Sequence, residues 1–116
     1  MASSSTSLTR EDGRVVCEHL LVAARPLRRM RGLLGRASLP SDEGILLRPA
    51  ASVHTFFMRF PIDVVFLDAD QVVVGIATAL APWKTAGRRG AKAVVELAAG
   101  ECERRGLHVG DRLIAA

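Results

Sequence analysis

Cysteine is scarce. Cys17 and Cys102 are the two in 116 residues, too few for a disulfide framework and spaced for no zinc site. They read as buried thiols. His19, His54 and His108 are scattered among unrelated segments, so no metal site and no cofactor are expected. Long apolar runs are also missing. No window reaches the ~20 apolar residues that span a bilayer, because Asp63, Asp68, Gly75 and Pro82 break the best stretches. The opening MASSSTSLTR is Ser/Thr-rich and lacks the apolar core of about 7–15 residues that a secretory signal needs. Residues 1–13 therefore read as a disordered tail, and the chain as soluble and cytoplasmic. Neither a Gly-x-Gly-x-x-Gly nor a Walker loop is present to cradle a nucleotide. The Gly-x-Ser-x-Gly elbow of many hydrolases is absent too. Lysine is rare, two against fourteen arginines.

What is present is an ordinary globular composition, 49% hydrophobic and 24% charged. Residues 14–116 are expected to form one domain, with a core hiding roughly two-thirds of the unfolded surface. The net charge is +4, concentrated in two clusters. One is Arg25, Arg28, Arg29, Arg31 and Arg36; the other is Lys84, Arg88, Arg89 and Lys92. Arginine suits bidentate contact with carboxylate or phosphate. Proteins that read single strands usually interleave rings with such cations, but along this sequence only Trp83 lies among them. Two solvated basic faces are the plainer reading.

Patterning predicts mostly strands. Arg14–Ala23 alternates as a first strand, and Pro26 then opens a short helix. Leu27, Met30, Leu33 and Leu34 recur at helical spacing, with the arginines outside and Gly35 as C-cap. Ile45–Leu47 reads as a strand, Val53–Met58 as an extended segment that bends at Pro61, and Ile62–Leu67 as a strand. Asp68–Gln71 is a hairpin connection to the strand Val72–Thr78. A basic loop from Pro82 to Gly90 leads to the strand Ala91–Leu97. Gly100–Arg105 reads as a turn or short helix, and Arg112–Ala115 as the last strand. The fold class is mainly β: a compact β-barrel or β-sandwich of six to seven short strands, with one short amphipathic helix near the N-terminus.

The segment HTFFMRFPIDVVF (His54–Phe66) holds all four phenylalanines together with a histidine, an arginine and a carboxylate. Asp63 shares a strand face with Val65 and Leu67, so its carboxylate needs a partner. Arg59, His54, Arg31 and backbone N–H groups near Pro61 are the candidates. His54 reads either as a core-edge residue bonded to a backbone carbonyl or as part of a rim. In the rim reading His54, Thr55, Arg59 and Asp63, with Arg31 and Glu96 as further polar partners, surround a pocket lined by Met58 and the phenylalanines. The paired Asp68 and Asp70 read as turn chemistry, not as a catalytic pair.

These residues carry a resemblance. RRMRGLLGR (Arg28–Arg36), EGILL (Glu43–Leu47), VHTFFMRFPIDVVFLD (Val53–Asp68), VVELAAG (Val94–Gly100) and GLHVGD (Gly106–Asp111) occur in this order, and the chain resembles the domain of unknown function 192 family from about residue 14 to 116. It is similar to that family's His-Thr-Phe subtype, with Phe57-Met58-Arg59-Phe60 where the common variant has Trp-Met-Lys-Asn-Thr. The resemblance implies a compact, strand-rich domain and no activity.

Three readings follow. The preferred one is a non-catalytic accessory domain holding a small anionic or amphiphilic ligand, or a protein partner, beside His54, Arg59 and Asp63. The second is a small hydrolase or transferase using His54 and Asp63, with Cys17 or Thr55 as nucleophile. The third is a nucleic-acid-associated protein using Arg28–Arg36 and Lys84–Lys92 on one face.

Overall fold

The computed structural model describes residues 6–23 and 37–115. Nine strands are present: β1 Thr6–Arg10, β2 Val15–Ala23, β3 Glu43–Leu47, β4 Ser52–His54, β5 Ile62–Leu67, β6 Val73–Leu80, β7 Thr85–Gly87, β8 Ala93–Ala98 and β9 Leu113–Ala115, with a short helix α1 at Glu101–Arg104. Seven form one sheet in the order β6-β5-β8-β3-β2-β1-β9, and β4 and β7 form a separate two-stranded ribbon. Within the large sheet only β2 and β3 run parallel.

At the centre, β5 and β8 bury both faces. Val65 and Leu67 join Val95 and Leu97 in one core with Leu8, Val16, Leu20 and Leu113. Ile62, Val64 and Phe66 join Val94 in a second core with Val53, Met58 and Leu47 on the other side of the sheet. A strand buried on both faces needs a nearly continuous apolar run, and IDVVFL supplies one, interrupted only by Asp63, whose carboxylate is hydrogen-bonded inside. Gly44 is required by close approach: a Cβ there would sit 2.8 Å from Leu97 Cδ2 and 3.0 Å from Cys17 Sγ.

The sheet curls but does not close into a barrel. Closure needs a ladder between the first and last strands. Here β6 and β9 meet only at the Val72–Arg112 bridge, flanked by hydrogen bonds from Val73 N–H to Asp111 O (2.8 Å) and from Leu113 N–H to Gln71 O (3.0 Å). β9 gives its own ladder to β1.

The expected tail over residues 1–13 is corrected by β1, which lies between β2 and β9 in the sheet. The segment TSLTR is polar apart from Leu8, but Leu8 is fully buried in the first core. Among the described residues the helix is α1, near the C-terminus; the arginine-faced helix expected from Pro26 to Gly35 lies outside them. The extended segment expected over Val53–Met58 stops at His54 and becomes a turn. Within the basic loop, Thr85–Gly87 is a strand.

Away from the ribbon, Arg105 ties α1 to β2. Its guanidinium donates to Glu18 Oε1 (2.8 Å), Ser41 O (2.9 Å), Glu101 Oε1 (3.1 Å) and Val15 O (3.3 Å). Arg105 thereby holds the Glu18 carboxyl below its usual range. Arg104, and then Arg105, do the same for Glu101.

Candidate functional site

Thr55 organises two turns at the end of the β4–β7 ribbon. Its carbonyl accepts the N–H of Met58 (3.2 Å), closing the turn Thr55–Met58, and also the N–H of Trp83 (2.9 Å). Its own N–H donates to Lys84 O (2.8 Å). Its hydroxyl donates to Ala81 O (2.6 Å) and accepts from Lys84 N–H (2.9 Å). In the turn Ala81–Lys84 the hydroxyl thus sits between the carbonyl and the N–H that a closed turn would join directly. Every hydrogen-bonding group of Thr55 is used, and the residue is fully buried.

The third position of each turn is occupied by an aromatic residue with left-handed backbone, Phe57 at φ 68° and Trp83 at φ 67°. A turn with positive φ at its third position favours glycine there and proline at the second, where the second turn has Pro82. A bulky side chain in this conformation costs about 1–2 kcal/mol per residue. Both side chains nevertheless point into solvent, Phe57 62% and Trp83 58% exposed. Apolar surface that is both strained and exposed is not explained by core packing. Strain of this kind concentrates at functional sites.

The rings form a continuous group. Phe57 lies against Trp83, centroids 4.6 Å apart and tilted by 59°. Phe56 stacks on Trp83 at 6.0 Å and on His54 at 4.9 Å. His54 Nδ1 accepts the Phe56 N–H (3.3 Å), which places the proton of a neutral imidazole on Nε2. Phe66 and Met58 belong to the second core, and Phe60 packs against it. The expected phenylalanine-lined pocket is thus divided: part is core, and part is an outward platform.

The expected rim also divides. His54 is on the platform and Arg59, exposed, follows Phe57 by two residues. Asp63 is elsewhere, fully buried, accepting the N–H of Ala79 on Oδ1 (2.8 Å) and that of Cys102 on Oδ2 (3.0 Å). Its partners are backbone groups, but of β6 and α1 and not of the Pro61 bend. Ala79 has φ 47° and Cys102 lies in the first turn of α1, so the carboxylate fixes a strained strand end and a helix start together. Glu96, expected on the rim, is fully buried in β8 on the face of the second core. Arg31 lies outside the described residues. Two cavities lined by described residues, of about 310 Å³ at Pro49–Ala51 with Ala91 and Lys92 and about 250 Å³ at Arg10–Asp12 with Gly110–Arg112, include none of the expected rim residues.

Along the sequence the phenylalanines lie away from the basic loop and only Trp83 lies within it; the fold brings Phe56 and Phe57 to Trp83. The turn signal was present in Pro82, but the Thr55 bridge crosses 26 and 29 residues. Segments 48–61 and 81–92 together hold six of the sixteen basic residues and none of the twelve acids. The ion pairs among the described residues use other cations, among them Arg10, Arg104, Arg105 and Arg112.

The chain belongs to the DUF192 family, described as uncharacterized ACR, whose model matches residues 7–115. It is 30% identical over 115 residues to a UPF0127 protein of Thermococcus sibiricus, covering 91% of this chain and 71% of that one. With a UPF0127 protein of Pyrococcus furiosus it shares 47% identity over 64 residues, and that match spans 54% of the relative's length. A solved structure of a protein of unknown function from Novosphingobium aromaticivorans superposes with a TM-score of 0.79 at 24% identity, covering 95% of this chain and 83% of the other. These relatives bring a fold and no assigned activity.

Proposed function

We propose that this protein is a non-catalytic binding domain whose site is the aromatic platform of His54, Phe56, Phe57 and Trp83 with the cations around it. The observation that carries this reading is the pair of exposed aromatic residues held at left-handed turn positions. The fold tolerates strain there and hides neither ring. Positive charge with no carboxylate in the same segments favours an anionic ligand, and the ring faces favour one with a flat or apolar part.

The groups a hydrolase would need are already engaged. Thr55 Oγ1 is bonded on both sides, Asp63 holds two backbone N–H groups, and Cys17 is buried with its Sγ 3.8 Å from Asp42 O. Burial pushes the Cys17 thiol up to about 11, so little of it would be a thiolate nucleophile at neutral pH. No helix among the described residues is long and apolar enough to cross a membrane. Two buried cysteines outside any disulfide suit a reducing compartment, which supports a cytoplasmic placement.

Trp83 is the single tryptophan, so its emission reports on the platform directly. Titration with a nucleoside monophosphate, a heparin oligosaccharide and phosphatidylglycerol vesicles should give a saturable change with at least one of them. That change should be lost in a Phe57→Ala, Lys84→Ala variant. A Trp83 signal indifferent to all three would overturn the proposal, as would binding that the double variant retains in full.

A further inference from the structure

The ligand class can be narrowed, on the strength of the binding reading above. Among the exposed large hydrophobic residues, those of the ribbon and its turns are all aromatic: Phe56, Phe57 and Trp83. Among the described residues the exposed aliphatic ones, Val15, Leu21, Val22, Val109 and Ile114, lie in β2, in β9 or in the turn that precedes β9. A patch that enters a bilayer normally adds aliphatic side chains to its rings. A patch that stacks on planar groups needs only the rings.

Along the chain the cations Lys84, Arg88 and Arg89 follow the Trp83 ring one after another. Lys84 follows Trp83 directly, and Arg88 and Arg89 follow β7, so strand rise sets Lys84 and Arg88 about 13 Å apart. Arg88 is seated on bare backbone: a Cβ at Gly75 would lie 2.2 Å from Arg88 Nε. The guanidinium therefore crosses edge strand β6 at the one residue with no side chain to obstruct it. Rings at one end, followed by a track of cations and no acid, match an unpaired polynucleotide, which offers base faces and phosphates in alternation. A duplex hides its base faces, and a sulfated glycan has none.

We propose that this face binds single-stranded nucleic acid, with bases stacked on Trp83, Phe57 and Phe56 and phosphates along Lys84, Arg88 and Arg89. The test is fluorescence anisotropy of a labelled oligo-dT 12-mer on the full chain, against the same length as duplex and as an abasic phosphodiester strand. Oligo-dT should bind most tightly. Phe57→Ala or Trp83→Ala should weaken it roughly five- to a hundredfold, with Trp83→Phe restoring most of the loss. Log affinity should fall with log salt at a slope between about −2 and −4, for three to six phosphates. Gly75→Ala should displace Arg88 and make that slope shallower while leaving the circular dichroism spectrum unchanged. Equal binding of the abasic strand, tighter binding of the duplex, or no binding of oligo-dT would each overturn the proposal. If heparin or vesicles still perturb Trp83 in that event, the binding face stands and only the nucleic-acid assignment falls. If nothing does, both fall.

Discussion

Thr55 and Lys84, 29 residues apart in the chain, are joined by hydrogen bonds that include Thr55 N–H to Lys84 O at 2.8 Å and Lys84 N–H to Thr55 Oγ1 at 2.9 Å. This pairing continues the His54–Thr85 register of the ribbon one residue further and turns both chains outward. The platform depends on it, because the backbone of both aromatic turns is fixed through Thr55.

Thr55→Val keeps the shape and removes the hydroxyl. It leaves Ala81 O and Lys84 N–H without that partner in a part-buried position, at about 1–3 kcal/mol. The expected result is a lower urea midpoint, together with a changed Trp83 emission in the still-folded protein. An unaltered emission spectrum would show that the turn holds its shape without the bridge.

Asp63→Asn tests the buried carboxylate. One of its two N–H partners, Ala79 or Cys102, would face an amide NH₂ in place of an oxygen. A loss of about 2–4 kcal/mol is expected, without effect on ligand affinity at the platform. A comparable loss of affinity at unchanged stability would return Asp63 to the site.

Phe57→Gly and Phe57→Ala separate ring from backbone. Both remove the exposed side chain, but only glycine relaxes φ 68°. The glycine variant should be more stable than the alanine variant by about 1 kcal/mol, while both lose binding equally. Urea melts of the two decide it; equal stabilities would mean the turn carries no strain at Phe57.

Cys17 gives a pH prediction. Burial raises its folded pKa to about 11, above the unfolded value of about 8.5. A raised pKa contributes stability that is fully present below the unfolded value and is lost as pH rises through the folded one. Cys102, also buried, is shifted in the same direction. Unfolding free energy should therefore decline from about pH 8.5 towards 11, and less steeply in a Cys17→Ala, Cys102→Ala variant. At pH 8 both thiols should react with Ellman's reagent only as fast as the chain unfolds.

The strands that were legible in the sequence are those whose burial is written into a local pattern. Ile62–Leu67 reads as a strand because both of its faces are apolar except at Asp63, and the structure gives the same limits. β1 was not legible: TSLTR carries one core residue, and its strand conformation comes from ladders to β2 and to β9 at the far end of the chain. The three residues of β7 are likewise too few for a periodic signal.

At the site, the sequence by itself determined the components: the rings of His54–Phe57, the Pro82-Trp83 turn and a cationic stretch without acids. Tertiary structure alone decided their grouping. It sent Asp63 inward to backbone N–H groups and turned Phe57 and Trp83 outward beside each other. The reason is that side-chain alternation and turn chemistry act over a few residues, whereas the Thr55 hydroxyl that joins the two turns finds its partners only after the ribbon has formed.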